Sequence, residues 1–85
     1  MTNTEIKKLW KAAVKAKKAT KAATYDDDVT MNELDAIVDA ECDALDALAS
    51  GLIEFTGGML GRLDAQCLVY DRFEAVGALL ARLAA

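Results

Sequence analysis

The chain has no histidine, no proline, one serine and two cysteines, and each shortage removes a class of function or structure. Without histidine, and with Ser50 as the only serine, neither a Ser-His-Asp nor a Cys-His catalytic arrangement can be assembled. Cys42 and Cys67 fall short of the four ligands of a structural zinc site unless two chains share one. Two cysteines also do not make the dense framework of a small secreted protein, and the basic start at Lys7 is followed by no continuous apolar signal core. The expectation is a cytoplasmic, non-enzymatic protein that carries no metal and no other cofactor.

Glycine is scarce where it would matter most. The five glycines are Gly51, Gly57, Gly58, Gly61 and Gly77, so the first fifty residues hold neither strong helix breaker. A hydrophobic fraction of 54% with only 6% aromatics means a composition rich in alanine, leucine and valine, which favours helices. Long apolar runs are missing too. Glu54, Arg62, Asp64, Asp71, Arg72 and Glu74 interrupt the most apolar windows before they reach the roughly 20 residues of a membrane span. No membrane partner is expected.

What is present is charge, unevenly placed. Residues 1–24 hold seven lysines against the single acid Glu5, a net of +6, whereas residues 25–85 hold three arginines against thirteen acids, a net of −10. Such asymmetry suggests charged partners.

The spacing of apolar and capping residues predicts one all-α domain over residues 1–85, built of three helices. A basic helix is predicted over 4–24, because Thr2 and Glu5 have the spacing of a capping box. On it Ile6, Leu9, Trp10, Ala13, Ala16 and Thr20 share one side, while Lys7, Lys8, Lys11, Lys15 and Lys18 share the other. Lys17 falls near the apolar face, with its stem along the core and its ammonium directed out. Trp10 reads as a core anchor.

Thr30 and Glu33 repeat the capping-box spacing and open an acidic helix over 30–56. Met31, Leu34, Val38, Leu45, Leu48, Leu52 and Phe55 follow the three-and-four spacing of a packing seam that Glu41 alone interrupts. Glu41 is open to three readings: an exposed end of the seam, a register-setting pair across a dimer, or a partner for Arg62, Arg72 or Arg82. Residues 26–46 contain nine acids and no base, and Asp35, Asp39, Asp43 and Asp46 lie on the side away from the seam. Asp26, Asp27 and Asp28 lack the spaced pattern of a calcium loop and read as a solvated turn.

Gly57 and Gly58 mark the end of that helix, with Gly51 as a weaker stop. An apolar third helix over 59–84 carries two stripes, one of Leu60, Leu63, Cys67 and Tyr70, the other of Val69, Phe73, Val76, Leu80 and Leu83. Two apolar faces need two partners, which predicts a homodimer with Leu60, Leu63, Val69, Phe73, Val76 and Leu80 in the core and dimer interface. A hairpin about Gly57 and Gly58 sets Cys67 opposite Leu48 and Cys42 opposite Phe73. That register is too far apart for a disulfide, and both cysteines read as small buried hydrophobes.

Two surfaces then compete for function. The acidic face of Asp35, Asp39, Asp43 and Asp46 suits a basic groove on another protein, including one that normally holds nucleic acid. The basic face of Lys7, Lys11, Lys15 and Lys18 suits phosphates, though the segment has no arginine for bidentate base readout. The first gives a protein-protein interaction module, the second a small nucleic-acid-binding dimer. In size and composition alone the chain is similar to small acidic inhibitors of phages and mobile elements, anti-CRISPR proteins among them.

Overall fold

The computed structural model describes residues 1–83 and is all-helical. Four helices follow in order: α1 (Asn3–Thr24), α2 (Met31–Phe55), α3 (Arg62–Asp71) and α4 (Phe73–Leu83). Among the described residues there is no strand, and no helix is long and apolar enough to cross a membrane.

Both predicted helix starts are where the capping residues put them. Thr2 Oγ1 accepts from the Glu5 N–H at 3.2 Å and the Glu5 carboxylate accepts from the Thr2 N–H at 3.2 Å, a complete box. That backbone bond, with the Thr2 side chain, holds the Glu5 carboxyl below its usual range. At Thr30 the hydroxyl accepts from the Glu33 N–H at 3.2 Å. Helix α2 stops at the predicted pair, since Gly57 and Gly58 take φ of 64° and 86°, the left-handed region that glycine enters without steric cost. Thr56 tightens the stop by donating its hydroxyl to the Leu52 carbonyl at 2.8 Å.

Gly51 is not a stop. It lies buried inside α2, and a β-carbon there would come within 2.5 Å of Leu9 Cδ1 and 3.2 Å of Ile6 Cδ1. The missing side chain lets α1 approach α2 closely, and this meeting of Ile6 with Gly51 makes the two helices an antiparallel pair.

The third helix predicted over 59–84 is two helices. It begins at Arg62 rather than at residue 59, breaks at Arg72, and its predicted end at residue 84 lies outside the described residues. Arg72 has φ −136° and ψ 52°, which no α-helix can contain. The break has a packing cause. A straight helix carrying two apolar stripes exposes one, whereas a bend re-aims α4 so that Val76 and Leu80 enter the same core as Val69.

That core joins Ile6 and Ala13 of α1, Leu45, Leu48, Ala49 and Leu52 of α2, Ala65 and Val69 of α3, and Val76 and Leu80 of α4. Full burial of a leucine or valine stabilises by about 1.5–3 kcal/mol. The seat of α4 on α1 is aromatic: Trp10 stacks on Phe73 with centroids 4.5 Å apart and planes 21° apart. Lys17 Nζ lies 4.7 Å from the Phe73 ring centre, a cation–π contact that carries its stem along the apolar surface as expected. Gly77 completes the seat, because a β-carbon there would approach Trp10 Cζ2 to 2.9 Å.

The molecule measures 43 × 24 × 19 Å, and its burial is uneven along the long axis. Every buried residue of α2 lies between Leu45 and Leu52. Its first half pairs with the second half of α1, where Ala23 is the one residue buried after Ala13, and meets α3 at Cys42. One end is a four-helix body; the other is a bare two-helix hairpin.

Candidate interaction surfaces

Asp35, Asp39 and Asp43 recur every four residues on α2, which stacks their side chains into a ridge, and all three are exposed. Asp46 continues the ridge at the point where α3 meets α2. There Oδ1 accepts the Tyr70 hydroxyl at 2.5 Å, with the Cys42 carbonyl oxygen 3.4 Å from the same hydroxyl. The bond to the carboxylate disfavours the phenolate and, with burial, pushes the Tyr70 pKa up to about 12. Asp46 is thus engaged within the molecule. The ridge offered to a partner is Asp35, Asp39 and Asp43.

This contact was within reach of the sequence. The hairpin register that sets Cys67 against Leu48 also sets Tyr70 against Leu45, one residue from Asp46.

The lysine face is equally open. Lys7, Lys11, Lys15 and Lys18 are all exposed, and Lys11, Lys15 and Lys18 surround a shallow hollow floored by Val14 and the Trp10 edge. Trp10 itself is committed to Phe73 and Gly77, which makes it the anchor expected rather than a stacking platform for bases. Among the described residues the ion pair within 4 Å joins the N-terminal ammonium to Glu54 at 3.7 Å, and no lysine of α1 pairs with an acid of α2. The two faces therefore do not neutralise each other through direct contacts. Glu41 is half-buried beside Lys17, Lys18, Thr20 and Lys21 in a shallow hollow between α1 and α2, and none of the three arginines pairs with it.

The residues assigned to a dimer interface separate into three groups. Val69, Val76 and Leu80 are sealed in the chain's own core, the core part of the expectation made for them. Leu60 and Phe73 are half-buried against that core. Leu63 alone is outward, at 77% exposure, on a stripe of α3 with Cys67 and Tyr70 that faces solvent. Of the two predicted stripes, the one of Val69, Val76 and Leu80 is covered within the monomer, and the one of Leu63, Cys67 and Tyr70 is left open to solvent.

Cys42 and Cys67 are free thiols and exposed, not the small buried hydrophobes expected, because each falls just outside the arc that the neighbouring helices cover. Asp26, Asp27 and Asp28 form a turn in which Asp26 Oδ1 accepts from the Asp28 N–H at 3.0 Å, and all three are exposed. A cleft of about 400 Å³ between α2 and α3 is lined by Asp46, Ser50, Glu54, Arg62 and Gln66. It is open and holds no buried polar group aimed inward.

No protein-family model, curated protein or solved structure matches this chain.

Proposed function

We propose that this protein is a non-enzymatic interaction module, an accessory or inhibitor type of protein that acts by docking its acidic ridge on a basic surface of another protein. The observation that carries the reading is the placement of Asp35, Asp39 and Asp43. Asp35 and Asp39 project from the part of α2 beyond the reach of α3, Asp43 lies at its edge beside Cys42, and no cation of the chain pairs with the three among the described residues. A charge array held on a rigid helix and left unpaired steers association with the opposite sign.

The basic face supports a second reading, a small nucleic-acid-binding protein, because Lys7, Lys11, Lys15 and Lys18 are exposed together on α1. Capture from lysate separates the two. The purified protein is expected to retain a protein after nuclease treatment, and the Asp39→Asn/Asp43→Asn variant is expected to lose it while Lys11→Gln/Lys15→Gln keeps it. Release of all material by nuclease, with loss on the lysine substitutions instead, would replace the first reading by the second.

A further inference from the structure

The apolar row that α3 and α4 cover on α2 continues past the point where those helices stop. Leu52 and Leu45 are sealed in the core; the next seam position is the half-buried Glu41, and beyond it the row continues with Val38 and, one turn further, Leu34, with Met31 before it. Val38 is 38% exposed, Met31 is 72% exposed and Leu34 is half-buried. The row is core on one half of the helix and open groove on the other.

The two edges of the groove carry opposite charge. Asp35, next to Leu34, and Asp39, one turn on, border it along α2. Across it lies α1, where Lys17 reaches Phe73 and so marks the side on which α4 packs; Lys21 is one turn further along that side. Glu41, Lys17 and Lys21 line the hollow between the helices.

A second copy does not suit this face. Two-fold pairing with the strips parallel would drive the α3 and α4 layer of each copy into that of the other. Pairing with the strips antiparallel avoids the clash but lays Lys17 and Lys21 against their own equivalents, which is repulsive. The charge pattern fits one element instead: a single helix lying where α4 would lie if it extended along the hairpin.

We propose that this groove receives an amphipathic helix of another protein, with its apolar face on Leu34 and Val38, basic residues along the edge that meets Asp35 and Asp39, and acidic residues along the edge that meets Lys17 and Lys21. The mode is a helix in a groove, anchored at three-and-four spacing. The open stretch from residue 31 to residue 41, before Tyr70 reaches Cys42, is about 15 Å long and accommodates about three helical turns of the partner. This rests on the interaction reading above and names the form of its partner.

The test uses the full chain and two labelled helical peptides of about 14 residues, followed by fluorescence anisotropy. Both peptides have leucine at the anchor positions and glutamate on the edge facing α1; the edge facing α2 is lysine in the first and glutamate in the second. The wild-type protein is expected to bind the first peptide and not the second. Val38→Glu is expected to weaken binding at least about tenfold, because it places a charge in the apolar contact. Asp35→Lys/Asp39→Lys is expected to reverse the preference, and Leu63→Asp on the far stripe to change nothing.

Failure of the wild type to bind the first peptide, indifference to Val38→Glu in a helical variant, or loss of binding through Leu63→Asp would overturn the groove. Lysate capture that depends on Asp39 and Asp43 but not on Val38 would sink the groove and leave the ridge standing. Dependence on neither would sink both.

Discussion

The two halves of α2 continue one seam and pack on the same helix, yet one is core and the other, which carries most of the acids, is surface. From Leu45 to Leu52 the seam is covered by α3 and α4; from Met31 to Val38 it is open. The cover arrives from the far end of the chain and stops near Cys42, while Glu41 interrupts the seam of the uncovered half. An amphipathic pattern therefore states which side wants cover and leaves open whether the chain itself supplies it.

The sharpest way to break that comparison is truncation of matched leucines. Leu48→Ala in the covered half should cost about 2–5 kcal/mol, since it leaves a cavity that surrounding helices cannot fill, whereas Leu34→Ala in the open half should cost less than about 1 kcal/mol. Urea denaturation of both variants measures it, and equal losses would mean the open half is packed as tightly as the covered one. A smaller effect tests what holds the open end without a core. Thr30→Ala should cost about 1 kcal/mol by removing the cap at the Glu33 N–H, with faster amide hydrogen exchange confined to the start of α2.

The smallest effect lies at the boundary between the halves, where Tyr70 ties α3 to Asp46. Tyr70→Phe should cost about 0.5 kcal/mol near neutral pH, the low side of a hydrogen bond because the phenol is 43% exposed. Because the phenol titrates higher in the folded chain than its ordinary value of 10.0, this contribution is fully present below about pH 10 and is lost as pH rises through about 12. Denaturation of wild type and variant at increasing alkalinity should show the gap closing. A gap that widens with pH would place the proton elsewhere.

What was legible in the sequence follows the same division between local and distant causes. Thr2, Thr30 and the Gly57-Gly58 pair act on backbone groups within a few residues, so the starts of α1 and α2 and the end of α2 could be placed from them. The acidic ridge was legible because four-residue spacing fixes a common face. The break at Arg72 was not, since neither glycine nor proline marks it; it arises from the need to turn Val76 and Leu80 toward Ile6 and Leu48, which lie far away in sequence. The bend gathers Val69, Val76 and Leu80 into one core, and the stripe of Leu63, Cys67 and Tyr70 stays uncovered as the two-stripe pattern predicts. Leu63 was readable as apolar but not as outward, because its exposure depends on which stripe α3 gives to the core.

The aromatic seat of α4 has a consequence in light rather than in force. Trp10 is the only tryptophan in the chain, and its ring is covered by Phe73 and Gly77 of α4. Its emission, excited where the two tyrosines do not absorb, therefore responds to the arrival and departure of α4. A red shift that precedes the loss of helical signal would reveal the last helix lifting from a hairpin that is still intact.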